Sequence, residues 1–242
     1  MVRQRTERGP GAGQNGAVRA LLNAVAIATT LWPLGASAQP APARPDAMMS
    51  VLTGEVMGVL AKTAGPAREA ELAELVEKRV VPRFDFTAMT RSALGRDWRL
   101  ASPAQQAELA AQFQTLLVRT YSQALLEFRG QKIEYRPLRA AAADSEVTVR
   151  STLRRSGAEP LTIDYDMADG AAGWQVYDVK LAGVSLVLAY RGSFAAVVRA
   201  EGIDGLIRTL REKNGPGAGA SLNGATLAPV LMIYGAPRGA RQ

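Results

Sequence analysis

Three stretches of the chain carry spacings that belong to chemical sites. Gly11-Ala12-Gly13-Gln14-Asn15-Gly16 spells the G-x-G-x-x-G of a dinucleotide cradle. That motif works only where a strand delivers the loop and a helix follows it, so that free N–H groups meet the pyrophosphate. No strand pattern precedes Gly11, so the match reads as chance in a Gly-rich segment. Asp164, Asp166 and Asp169-Gly170 hint at a calcium loop. The third Asp falls one position late, and Gln175 stands where the bidentate Glu belongs, so the coordination sphere does not close. Gly183-Val184-Ser185-Leu186-Val187 begins like a nucleophile elbow but ends on Val in place of Gly.

Composition removes the partners such sites need. The 242 residues contain no Cys and no His. Disulfides, thiolate nucleophiles, Cys/His zinc sites and a Ser-His-Asp triad are therefore all excluded. An enzyme would have to use carboxylates, Lys or Tyr, and the acids fall on polar strand faces and in turns. The formal charge of +7 is concentrated at the ends of the chain. Arg3, Arg5, Arg8 and Arg19 stand against Glu7, and Arg44, Arg238 and Arg241 add the rest, which leaves 46–213 within one charge of neutrality. A nucleic-acid binder places its basic excess on the folded domain, so no nucleic-acid partner is expected.

The first 38 residues read as an export signal. An Arg-bearing segment is followed by the apolar run 20–34, and then by Gly35-Ala36-Ser37-Ala38 with small residues at −3 and −1 of a cut after Ala38. The run is too short and too interrupted for a span of about 20 apolar residues. A Pro/Ala linker over 39–45 follows, and the Gly/Pro/Ala-rich tail over 214–242 reads as disordered.

Between them, 46–213 reads as one α+β domain. Apolar residues at helical spacing (Met49, Leu52, Val56, Val59, Leu60) predict a helix over 46–62, broken by Gly65-Pro66. A second helix, over 67–81, ends at Pro82, and a short one over 84–94 stops at Gly95. Ser102-Pro103 with Gln105 is a capping box, opening a long helix to about 128 with an unusually wide apolar face. After Gly130 the period changes to two. Four strands, around 133–135, 147–153, 161–167 and 174–181, are joined by short turns, which makes an antiparallel meander. The apolar run 184–190 and helical patterns over 193–200 and 203–213 complete the domain. The expected fold is a set of N-terminal helices packed on a curved four-stranded antiparallel sheet. What stands out is apolar excess: the long helix carries more apolar positions than one packing seam needs, and 183–189 is interrupted only by Ser185.

Several pieces, in order, resemble the MlaC family, the auxiliary periplasmic component of a lipid ABC transporter. They are Val81-Pro82-Arg83-Phe84-Asp85-Phe86, Ala93-Leu94-Gly95-Arg96-Asp97-Trp98, Ala101-Ser102-Pro103-Ala104-Gln105-Gln106, Leu116-Leu117-Val118-Arg119-Thr120-Tyr121, Gly173-Trp174-Gln175-Val176-Tyr177-Asp178-Val179, Gly183-Val184-Ser185-Leu186-Val187, Tyr190-Arg191 and Gly202-Ile203-Asp204-Gly205-Leu206-Ile207. The resemblance spans about 46–214. It implies a nuclear-transport-factor-like cone enclosing an apolar pocket. It also implies a non-enzymatic periplasmic shuttle with bound phospholipid as cargo and no cofactor. The implied partners are an inner-membrane ABC transporter with an MCE-domain protein and an outer-membrane lipoprotein–porin complex, and the implied outcome is maintained lipid asymmetry. On this reading the pocket is lined by Leu117, Tyr121 and Leu125 of the long helix. The strands contribute Val149, Leu153, Ile163, Tyr165 and Val176, and the apolar run contributes Val184, Leu186 and Val187. Arg191 is the expected headgroup or mouth residue. Two alternatives stay open: a carrier for another apolar lipid such as a hopanoid, and a solid-cored periplasmic scaffold.

Overall fold

The computed structural model describes residues 44–126, 131–139, 141, 144–154 and 159–215. The export signal over 1–38 lies outside these residues, as does the tail beyond Gly215. The 39–45 linker is described only at Arg44 and Pro45, where the first helix has already begun.

Among the described residues, five α-helices and five strands make the fold. Helix α1 (Pro45–Leu60) turns its apolar stripe inward. Helix α2 (Pro66–Leu75) begins after Gly65, with Pro66 in the first turn, where a missing N–H costs nothing. Its continuation over Val76–Val80 widens into a π-helical turn, followed by a 3-10 turn at Val81–Arg83. Pro82 explains the change. It cannot donate to the carbonyl four residues back, and its ring would press on it. Helix α3 (Phe86–Leu94) is capped by Asp85, whose carboxylate accepts from the Ala88 N–H at 2.8 Å. Helix α4 (Pro103–Leu125) opens on the expected box. Gln105 N–H donates to Ser102 Oγ at 3.3 Å, and Ser102 N–H donates to Gln105 Oε1 at 2.9 Å. The C-terminal patterns merge into one helix, α5 (Arg191–Asn214), kinked at Gly202, where φ is +70°. Only glycine takes that conformation at little cost.

Strands β1 (Lys132–Tyr135), β2 (Glu146–Arg154), β3 (Leu161–Gly170), β4 (Gly173–Leu181) and β5 (Val184–Ser185) pair antiparallel in sequence order. The sheet therefore has five strands where four were expected. The fifth is two residues long and too short to show a period. Asp166 of β3 faces Asp178 of β4, whereas Met167 faces Val176, so Tyr177 is an extra residue in a bulge. A bulge bends its strand and increases the local twist.

Two solid regions flank the site. One is helical: Leu109, Phe113 and Leu116 of α4 meet Phe194, Leu206 and Leu210 of α5, with Met89, Ala93 and Leu94 of α3 beside them. Phe113 stands edge-on to Tyr190 and Phe194, with centroids 5.1 Å and 5.2 Å away. The other lies where Met49 and Leu52 of α1 meet Val149, Tyr165, Met167 and Val176 of the sheet.

Candidate functional site: an apolar cavity between the helices and the sheet

Helix α4 explains the apolar excess, because it has two buried flanks. Leu109, Phe113 and Leu116 serve the helical core. Leu117, Val118, Tyr121, Ser122 and Leu125, along the adjoining flank, face a cavity of about 270 Å³. The second wall comes from Met49, Leu52, Thr53, Val56 and Met57 of α1, and it continues through Val76, Val80, Val81 and Phe84 to Phe86 and Met89 of α3. The third wall is the concave side of the sheet: Ile133, Leu153, Leu161, Ile163, Tyr165, Val179 and Leu181, with Leu186 just beyond β5.

Among the described residues no charged side chain lines this space; the polar ones are those of Thr53, Tyr121, Ser122 and Tyr165. Burial pushes both tyrosine hydroxyls well above the usual phenol range, so neither ionises near neutral pH. Thr53 is held by its own helix, its hydroxyl lying 2.9 Å from Met49 O and 2.8 Å from the Tyr135 hydroxyl. Tyr135 also donates to Met49 O at 3.0 Å, so β1 fastens α1 across the cavity. Among the described lining residues none is an acid, an amine or a guanidinium. Apolar cavities of about 150 Å³ stay dry and take up benzene. This one is larger and similarly lined, and what it can do is hold hydrocarbon.

Seven of the twelve residues read from the sequence meet here: Leu117, Tyr121, Leu125, Leu153, Ile163, Tyr165 and Leu186. Five do not. Val149 and Val176 share the sheet's concave side but lie under Met49 and Leu52, in the solid region. Val187 is fully buried in the helical core. Val184 is 46% exposed, on the outer side of the β4–β5 turn. Arg191 is exposed, and its Nη2 donates to Ser92 O at 2.7 Å. It satisfies a carbonyl in the last turn of α3 and is not among the residues lining the cavity.

The sequence reading missed the α1 wall and the turn at Val76–Val80. Their helical periodicity announced a buried face without saying what it faces. It also missed Val179 and Leu181, because the Tyr177 bulge lets Val176 and Val179, three apart, face the same way.

Residues 51–212 match the model of the MlaC protein family. The chain belongs to the MlaC family. A curated relative, the intermembrane phospholipid transport system binding protein MlaC of Haemophilus influenzae, is 23% identical over 144 residues, covering 58% of this chain and 67% of that protein. A solved structure, a phospholipid-binding protein from Ralstonia solanacearum in complex with a phospholipid, is 36% identical with a TM-score of 0.62. It covers 70% of this chain and 96% of that one. Membership in the MlaC family thus rests on the family match, and the solved phospholipid-binding protein shares the fold.

Proposed function

We propose that the protein is an exported, non-enzymatic phospholipid carrier. It receives a diacyl lipid from one membrane complex and delivers it to another across the periplasm. The observation that carries this reading is the uncharged cavity between α4, α1 and the sheet, in a chain of the MlaC family.

The physics of the task matches the walls. A diacyl phospholipid has on the order of 30 methylenes, each disfavouring water by about 0.8 kcal/mol, so free crossing of an aqueous space is prohibitive. A cavity that covers the chains brings carrier and bilayer close in free energy. The carrier then needs no chemistry of its own, and direction comes from its partners. Those partners are an inner-membrane ABC transporter with an MCE-domain protein and an outer-membrane lipoprotein–porin complex, and the traffic serves outer-membrane lipid asymmetry. The Arg-bearing, apolar and A-x-A segments of 1–38 supply the export signal this reading requires.

The test is solvent extraction of the purified exported protein followed by lipid mass spectrometry. Diacyl phospholipid near one per chain is expected. A hopanoid or another apolar lipid in its place would change the cargo. No lipid from gently purified, folded protein would favour a scaffold role and refute the carrier.

A further inference from the structure

Arg68 is the third residue of α2 and is only 5% exposed. Its Nε and Nη1 are buried with no hydrogen-bond partner among the described residues. A guanidinium taken out of water with donors unfilled is costly, and such groups are normally paired. The acids nearby on the same helix do not answer it: Glu69 is exposed, and Glu71 is half-buried and paired with Lys62 at 2.5 Å. Its place on the helix sharpens the problem. The first bond at this end of α2 runs from Glu69 N–H to Gly65 O at 3.2 Å, which leaves the Ala67 and Arg68 N–H groups without an intrahelical acceptor. A helix N-terminus carries partial positive charge, so it opposes a cation and suits an anion. Helical side chains lean toward that end, so Arg68 starts out directed toward this turn.

Arg68 also belongs to the stripe that reaches the cavity. Leu72 and Val76 follow at intervals of four, both buried, and Val76 is a cavity wall residue. Eight positions at 1.5 Å per residue put Arg68 about 12 Å along the axis from Val76. Arg68 itself is not among the lining residues, and among the described residues the cavity has no charged side chain with which to meet a headgroup.

We propose that Arg68, with the N-terminal turn of α2, forms an anion subsite for the phosphate-bearing end of a lipid whose chains occupy the cavity. This rests on the carrier reading above and adds a specificity to it: phosphate-bearing amphiphiles are held over neutral ones with the same chains. The forked donors of Arg suit a phosphate bidentately.

The test offers the full chain vesicles containing equal amounts of labelled phosphatidylglycerol and of diacylglycerol with identical chains, and measures what the reisolated protein holds. A parallel arm titrates inorganic phosphate by calorimetry. Both arms compare the wild type with Arg68→Met and Arg68→Lys. Arg68→Met removes an unpaired buried charge, so its melting temperature should hold or rise. Its phosphatidylglycerol occupancy should fall about tenfold with diacylglycerol unchanged, and Arg68→Lys should lie between. Phosphatidylglycerol uptake equal to wild type in a folded Arg68→Met overturns the subsite. Wild type that takes up neither lipid, yet binds phosphate in an Arg68-dependent way, overturns the carrier reading and reassigns the subsite to free phosphate. Wild type that binds neither lipid nor phosphate overturns both.

Discussion

Filling the cavity should empty it of lipid without unfolding the protein, and Leu153→Trp is the sharpest way to do so. Leu153 sits in a cross-strand row, facing Ile133 on β1 and Leu161 on β3, and all three line the cavity. Tryptophan has about six more side-chain heavy atoms than leucine. Placed here, it displaces a comparable number of chain methylenes, each contributing about 0.8 kcal/mol. Full displacement costs about 5 kcal/mol of lipid affinity. A chain that reroutes around half of the indole still loses about 2.5 kcal/mol, or about 60-fold. The cavity of about 270 Å³ accepts the ring, so the fold should lose no more than the 1–3 kcal/mol of ordinary overpacking. Val149→Trp, two inward positions away on the same strand, is the contrast. Val149 is 1% exposed and enclosed by Met49, Leu52, Met167 and Val176, so there the indole should unfold the region or distort it. The assay pairs urea denaturation with lipid quantification by mass spectrometry. A folded Leu153→Trp carrying wild-type lipid would refute the reasoning.

Other perturbations separate the cavity from its frame. Phe113→Ala removes a ring packed on Tyr190 and Phe194 and should cost about 3–5 kcal/mol by chemical denaturation, with lipid per folded chain unchanged. Tyr135→Phe removes the bond to Met49 O and the contact with Thr53, so it should cost about 1 kcal/mol and speed amide exchange in α1 more than in α5. Asp178 is held above its ordinary value of 3.8 mainly by burial, so the native state keeps its proton to higher pH than the unfolded chain does. Its contribution to stability therefore falls as pH rises from 3.8 through the folded value, and stays low above it. Asp178→Asn should accordingly stabilise the protein more at pH 7 than near pH 3; an equal effect at both pH values would contradict this.

The capping box at Ser102 and Gln105, the breaks at Gly65-Pro66 and Gly95, and the alternation of β2 and β3 were all legible in the sequence, because each is a local rule obeyed locally. So was the double-sided apolar character of α4, which is the trace a cavity leaves on a helix that must also serve a solid core. The rest depends on contacts between distant segments. Met49 and Val80 are apolar in either setting, and only the placement of α1 over the sheet turns Met49 into a wall. Tyr177 cannot be recognised as the bulged residue from its own strand, because the register is set by β3. Arg191 looks like a headgroup ligand in the chain and proves to be fastened to the end of α3. Arg68 looks like one more surface arginine and proves to be buried, its Nε and Nη1 without a hydrogen-bond partner among the described residues.

The central claim is that acyl chains lie between α4, α1 and the sheet. Nuclear Overhauser contacts between the chain protons of isotope-labelled phospholipid and the protein's methyl groups test it most directly. The account predicts contacts to Leu117, Leu153, Ile163 and Leu186, which line the cavity, and none to Leu206 or Leu210, which are fully buried in the helical core. A bound lipid whose chains touch none of the four cavity residues would contradict it.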